Sequence, residues 1–500
     1  MTYWLTIHHQ SKKENIMQLR TLLFTGSLLG ILLSFSCAPK SSSNEETPSY
    51  HQEIDTYIKR LMQADEIPGM AIAVIQNGQM LHQKNYGLAN LAHKVPVTDS
   101  TLFRIYSTSK LITSVAVFQL IERNQLSLED SIGLFIEKLP DPWKKIKVKH
   151  LLSHSSGLPE YKDIKNQPLL SDEQIHTEIT QKPLLFETGA RFSYNQTNFW
   201  FLKQIIEKIS QQKLEEFVLE HQFNHQNTHL VYASNSLLAI PNRVPKYEFN
   251  QKHGTYEISS FAAGERSLAG NGLNINLENL IRWNTKLDND QLLKTATKKQ
   301  MMQPFDYQDP NALFGYSWGI FGPEDKRYYG FAGGGVSAFM KFINHDLTII
   351  VLSNGFKQRP VISNAINYIS GVADPRLLRK DRWFNEEIRL RFILNPFHQT
   401  VQEYQQMKSE HPEISFERAL NQTGYHFLYH KDIDKALSIF ELYTKDYPES
   451  ANAFDSYGEA YFMNKQYDLA RRNYQKSLDL NPENKNAAKM LVKIAQLNTP

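Results

Sequence analysis

The chain has 500 residues, more than one ordinary hydrophobic core supports, which argues for two or more domains. Hydrophobic residues make up 41% of it, and 24 tyrosines with 28 phenylalanines supply large core groups, so an intrinsically disordered chain is excluded. With 55 basic against 52 acidic residues the net charge is only +3, which marks no nucleic-acid partner, and a single cysteine excludes an intrachain disulfide framework.

Met17-Gln18-Leu19-Arg20 gives a positive start, Thr21 to Phe35 an apolar run, and the small Ser36 precedes Cys37. The arrangement resembles a bacterial lipoprotein signal over 17–36, with cleavage before Cys37 and lipidation of its thiol. The apolar run, about 15 residues, is shorter than the roughly 20 that span a bilayer. Residues 37–49, including the polar stretch Ser41 to Thr47, then form a tether. This signal implies a membrane-anchored lipoprotein of the bacterial cell envelope, facing the periplasm or the exterior.

Tyr50 to Ala64 is predicted as an amphipathic helix, and Met70 to Ile75 and Gln79 to Tyr86 as strands of a hairpin turning at Asn77-Gly78. Leu111 to Ile121 is a mostly apolar helix. Arg327 to Phe331, Ala338 to Ile343 and Leu347 to Ser353 are predicted strands, followed by a helix from Val361 to Ile369. Strands at both ends of 50–372 and a largely helical middle fit one mixed domain whose sheet joins the two chain ends. A helical, charged connector occupies 373–415. Beyond it Gly424, Ala436, Phe440 and Pro448 are matched by Gly458, Ala470, Tyr474 and Pro482, each pair 34 residues apart. That period and residue set are the tetratricopeptide signature, placing a helix-pair stack at 416–500, with Asn484 to Leu497 as its cap and a protein as its expected partner.

Ser107-Thr108-Ser109-Lys110 puts a hydroxyl and an amine three residues apart where a helix begins. A serine hydroxyl needs a base to become a nucleophile, and a shared helix face would bring the amine beside it. The first helical turn disfavours a cation; with desolvation this lowers the lysine pKa toward neutrality, where it acts as a base. The pattern alone is weak. Ser210-Gln211-Gln212-Lys213 matches it too and is expected to be a decoy in a polar loop that ends a helix.

The wider set of motifs decides. Phe103-Arg104-Ile105-Tyr106 leads into Ser107, and His150-Leu151-Leu152-Ser153-His154-Ser155-Ser156-Gly157-Leu158-Pro159 follows. Then come Phe192-Ser193-Tyr194-Asn195-Gln196-Thr197-Asn198 and Gly333-Gly334-Gly335. In order and spacing these resemble the class C beta-lactamase and D-alanyl-D-alanine carboxypeptidase family, which also holds esterases and peptidases, over roughly residues 50 to 372. The resemblance implies an α+β fold: an antiparallel sheet flanked by helices, a helical lobe beside it, and the active site between them. It implies Ser107 as nucleophile, Lys110 as its activator and Tyr194 as proton shuttle, acting on an acyl substrate without a cofactor. Gln196 replaces the usual asparagine and keeps an amide for a substrate carbonyl. The N–H groups of Ser107 and Gly334 would form the oxyanion hole, and Gly333 would let a substrate backbone approach.

Phe331 stands where relatives usually carry lysine or histidine. It favours an ester or a less anionic amide over a beta-lactam or a terminal carboxylate. His150 and His154 are four apart but lack the His-Glu-x-x-His pattern, so no metal is expected there. Two functions fit: a lipid-anchored serine hydrolase, or a weak or inactive binding scaffold that uses the same fold and the repeats.

Overall fold

A computed structural model describes residues 49–224, 229–250, 253–260, 262–309, 313–356 and 362–497. The expected signal, Cys37 and the tether up to residue 48 lie outside them.

Helix Tyr50–Ala64 leads into β1 (Gly69–Gln76) and β2 (Gln79–Asn90). Between them Asn77 and Gly78 take φ of +50° and +71°, the two left-handed residues of a type I′ hairpin turn. With β3 (Val95–Pro96), β4 (Gly319–Phe321), β5 (Tyr328–Gly333), β6 (Ser337–Phe342) and β7 (Leu347–Ser353), the described residues form a seven-stranded sheet in the order β3-β2-β1-β7-β6-β5-β4. All its pairings are antiparallel. The central pair joins the two ends of the domain: Met70 lies opposite Ser353 and Gln76 opposite Leu347.

Strands β1 and β7 are covered on both faces, and successive side chains go to opposite cores. Ala71, Ala73, Ile350 and Leu352 join the core of the helical lobe. Met70, Ile72, Val74, Ile349 and Val351 pack with helices Tyr50–Ala64 and Ile362–Ala373 behind the sheet. In the lobe, helix Ser109–Glu122 is buried at every position from Ser109 to Leu120, so it is enclosed on every face rather than amphipathic. A helix enclosed on all sides is a rigid mount for whatever its first turn carries.

Behind the sheet, helix Lys380–Leu394 belongs to two cores at once. Its Leu390 packs with the helices behind the sheet, while Ile388 and Phe392 pack into the tail. Buried Arg389 reaches Asp65 at 2.7 Å and Glu386 at 2.8 Å, and Arg60 pairs with Glu387 at 2.9 Å. The tail continues as helix pairs Glu417–Tyr429 with Ile433–Asp446 and Ala451–Met463 with Tyr467–Leu480, followed by Lys485–Leu497. The small residues stand where paired helices touch: a Cβ on Gly424 would lie 2.4 Å from the Phe440 ring, and one on Gly458 3.1 Å from that of Tyr474. His430 of the tail meets Glu66 at 2.7 Å, so the stack also touches the loop after the first helix.

Candidate active site

Ser107 does not begin the long helix. It sits in a 3-10 turn, Tyr106–Thr108, just ahead of Ser109–Glu122. Tyr106 takes a φ of +46°, an uncommon conformation for a bulky residue, and turns the chain sharply before the nucleophile candidate. The turn is clamped to the sheet. Ser337 on β6 donates from its hydroxyl to the Ile105 carbonyl at 2.7 Å and lies 3.0 Å from Thr108 Oγ1. Thr113 Oγ1 donates to the Ala269 carbonyl at 2.8 Å, fixing the other side of the helix to the segment carrying Gly270 and Asn271.

At the centre lies one hydrogen-bonded group. The Tyr194 hydroxyl donates to Ser107 Oγ at 2.8 Å, and Ser107 donates to Asn271 Oδ1 at 3.1 Å. Gln196 Nε2 donates to the Tyr194 oxygen at 3.1 Å. Gln196 Oε1 accepts from Lys110 Nζ at 2.9 Å and from Asn271 Nδ2 at 2.8 Å. Lys110 also donates to the Gly270 carbonyl at 2.8 Å. Thus the structure brings Ser107, Lys110, Tyr194 and Gln196 together, but by a different route from the shared helix face. Among the described residues Lys110 makes no hydrogen bond to Ser107; its amine is taken up by Gln196 Oε1 and the Gly270 carbonyl. The Gln196 amide bridges amine and phenol, and its extra methylene gives it that reach.

Electrostatics favour a neutral amine. Lys110 is fully buried, which holds its pKa well below the ordinary lysine value; the charge of Lys162 adds to this and Glu160 opposes it. A neutral amine has two N–H donors, matched here by Gln196 Oε1 and the Gly270 carbonyl, and keeps its lone pair for a proton. The amine also lies 4.7 Å from the Phe199 ring centroid, 5.0 Å from that of Tyr194 and 5.9 Å from that of Phe331. Burial pushes the Tyr194 phenol up, against its hydrogen bonds to Ser107 and Gln196, so it is protonated at rest.

Gly333 ends β5 against the nucleophile turn. A Cβ there would come within 2.1 Å of the Ile105 carbonyl and 2.8 Å of the Ser107 nitrogen. The close approach expected at this glycine is therefore made by the protein's own backbone. Gly334 follows with a φ of +58°, over the ring of Tyr106. Phe331 is 8% exposed, and its ring lies 6.1 Å from those of Tyr194 and Phe314, forming an apolar wall where a cation was a possible resident. Ser210 ends a helix and bonds back to the Ile206 carbonyl, away from this group.

Asn271, Gly270 and Glu160 were not legible as site residues. Asn271 sits in a Gly-Asn-Gly triplet, a pattern that marks a close backbone approach without saying to what. Glu160 accepts the Gln196 N–H at 2.7 Å and so orients the motif from behind. The two histidines have separate jobs. His150 Nδ1 accepts from the Lys147 N–H at 3.1 Å. His154 accepts from the Asn195 N–H at 3.1 Å, and its ring packs 4.6 Å from that of Tyr194. That bond assigns the His154 proton to Nε2, which faces aromatic rings.

The sequence profile of the beta-lactamase family matches residues 54–372, and that of the tetratricopeptide repeat matches 451–484. The chain belongs to the beta-lactamase family. With this family it is a serine hydrolase whose relatives are of the penicillin-binding-protein type. It is 24% identical to penicillin-binding protein 4* of Bacillus subtilis (strain 168) over 326 residues, 61% of this chain and 71% of that one. The octameric penicillin-binding protein homologue from Pyrococcus abyssi superposes with a TM-score of 0.57 at 20% identity, covering 67% of this chain and 80% of that chain. EstCE1, a hydrolase with promiscuous acyltransferase activity, superposes with a TM-score of 0.56 at 18% identity, covering 65% and 98%. These structural likenesses establish that the beta-lactamase-family domain carries the shared fold.

Proposed function

We propose that the protein is a lipid-anchored hydrolase of esters or small amides that works through an acyl-enzyme on Ser107. The observation that carries this reading is the continuous hydrogen-bonded group from Asn271 through Ser107 and Tyr194 to Gln196 and Lys110. Attack requires the Ser107 proton to leave. Tyr194 touches Ser107 and is the relay; Lys110, whose pKa burial holds well below the ordinary lysine value, is the base. Phenol and amine, bridged here by the Gln196 amide, would meet directly in the substrate complex, as catalytic contacts often close only there. The Ser107 and Gly334 N–H groups are the proposed oxyanion donors. Removing one such donor typically costs about 2.7–4 kcal/mol. After attack the protonated Tyr194–Lys110 pair returns a proton to the leaving group, and water then releases the acyl group by the reverse relay.

Phe331 supports the choice of substrate. An apolar ring beside Tyr194 suits a neutral leaving group better than one bearing a carboxylate there. The deciding experiment incubates the mature protein with a fluorophosphonate and with a fluorescent penicillin and maps the adduct. Labelling of Ser107, absent in Ser107→Ala, is expected; equal labelling of both proteins would remove Ser107 from the mechanism. On p-nitrophenyl butyrate and nitrocefin, the ester should show the higher kcat/KM. The anchor is tested separately: Cys37→Ser should free the protein from membranes or leave it unprocessed, and unchanged fractionation would rule the anchor out. The repeats are proposed to hold a protein partner near the hydrolase.

A further inference from the structure

The two proposed oxyanion donors, the N–H groups of Ser107 and Gly334, stand on segments far apart in the chain. Two donors stabilise an oxyanion only when both stay within hydrogen-bond reach of one oxygen, so the Gly334 backbone needs a seat fixed relative to Ser107. Strand β5 brings it close: a Cβ on Gly333 would lie 2.8 Å from the Ser107 nitrogen. The pairing of β5 with β6 stops there, with Gly333 opposite Ser337. The chain then turns back through Gly334 and Gly335, with φ of +58° and +74°. What Gly334 rests on is Tyr106. A Cβ on Gly334 would lie 2.8 Å from Cγ of that ring, 2.9 Å from Cδ2 and 3.2 Å from Cδ1.

Tyrosine is an unfavourable residue for this place. The φ of +46° at Tyr106 is a conformation that glycine or asparagine takes far more readily than a bulky residue. Core packing does not explain the ring either, because among the described residues Tyr106 joins none of the hydrophobic cores. The ring is nevertheless held. The Arg104 guanidinium lies 4.7 Å from its centroid, and Arg104 Nε donates to the Asn271 carbonyl at 2.9 Å. Asn271 Oδ1 in turn accepts from the Ser107 hydroxyl. One arginine therefore braces both the ring beside Gly334 and the residue that holds the nucleophile. We propose that Tyr106 is a positioning residue of the oxyanion hole, its ring setting the Gly334 N–H toward the same substrate oxygen as the Ser107 N–H. The inference rests on Ser107 as the acylated residue. When Ser107 Oγ bonds to the acyl carbon, the carbonyl π pair moves onto that oxygen and the hydroxyl proton leaves through Tyr194. Collapse then expels the alcohol, which takes that proton back. The ring touches no reacting atom; it keeps the second donor where the new charge forms.

The test compares p-nitrophenyl butyrate with its thiono counterpart, in which sulfur replaces the carbonyl oxygen. Sulfur is larger and a weaker hydrogen-bond acceptor, so the oxo-to-thiono ratio of kcat/KM reads the hole rather than the general integrity of the fold. Tyr106→Gly and Tyr106→Asn both suit the left-handed backbone and remove the ring. Each should lower kcat on the oxo-ester at least about tenfold with KM within about twofold, and the oxo-to-thiono ratio at least about fivefold. Tyr106→Phe keeps the ring and should return kcat and the ratio to within about threefold of wild type. Thermal melts show which variants are folded. An unchanged ratio in folded ring-less variants, or a Tyr106→Phe as impaired as Tyr106→Gly, overturns the proposal while leaving Ser107 in place. Loss of folding in both ring-less variants overturns it too, since the ring is then a folding element. Absence of a Ser107 adduct in the wild type, read by intact mass with a fluorophosphonate, overturns the underlying reading and this one together.

Discussion

Gln196 shows how a one-methylene change is absorbed. Its amide reaches Lys110, Tyr194 and Asn271 together, a contact set that a shorter asparagine would not span from the same backbone. Gln196→Asn should therefore lower kcat by about tenfold or more while changing KM little, since these bonds hold the relay rather than the substrate. Asn271→Ala removes the hydrogen-bond acceptor of the Ser107 hydroxyl and should have a similar or larger effect, read as kcat under saturating ester. At Gly333 no substitution fits: Gly333→Ala drives a methyl into the Ile105 carbonyl and should abolish acylation, checked by adduct mass. The depressed Lys110 pKa has a sign. The base form gains as pH rises through the folded value, so kcat/KM should climb on an acid limb and level off well below pH 10. A limb that continues rising to the ordinary lysine range would show the amine is not the base. Ser107 and Lys110 were legible because they stand three residues apart, and Tyr194, 87 residues beyond Ser107, because its Tyr-Asn-Gln run resembles the family's motif. Asn271 was not, because its role comes from a segment more than 160 residues distant that folding brings to the hydroxyl.

At the scale of elements, the strands follow from short apolar runs and the hairpin from Asn77-Gly78, whose positive φ angles the turn requires. The helix bearing Lys110 was visible as an apolar run, but its first residues were not: Ser107 lies in a separate 3-10 turn set by contacts with Ser337 on a distant strand. The tail repeats were visible through their spacing, and the two glycines now separate. Gly424 has a ring 2.4 Å from the place of a Cβ, Gly458 one at 3.1 Å. Gly424→Ala should cost about 1–3 kcal/mol through overpacking, and Gly458→Ala less, partly offset by the better helix propensity of alanine. Thermal melts of the two variants order them; equal shifts, or a larger one for Gly458→Ala, contradict the packing argument.

For the whole molecule, two buried imidazoles, His82 and His154, and the half-buried His150 set the acid limit. Burial lowers His82 and His150 to about 4 and His154 well below its usual value. An unfolded chain takes up these protons near pH 6.5, whereas the folded one does not. Stability should therefore fall as pH drops from about 6.5 toward 4, by up to about 1.4 kcal/mol per pH unit for each histidine, and the contributions of His82 and His150 should level off below that. Urea midpoints across this range check it. The linker helix makes a second prediction. A chain ending after Asp374 loses Arg389 from Asp65 and Leu390 from the core behind the sheet, whereas one ending after Asn395 keeps both. The longer truncate should retain ester turnover; the shorter should melt lower. The polar and charged residues of this helix gave no sign of its double packing, since Arg389 reads as a surface residue until Asp65 and Glu386 close around it. Because one helix is shared, the tail is held against the hydrolase domain by covalent connection, so its effective concentration there does not depend on supply. Whatever grips the repeats and pulls on this helix would thus be acting on the back of the catalytic sheet, through a contact that dilution cannot weaken.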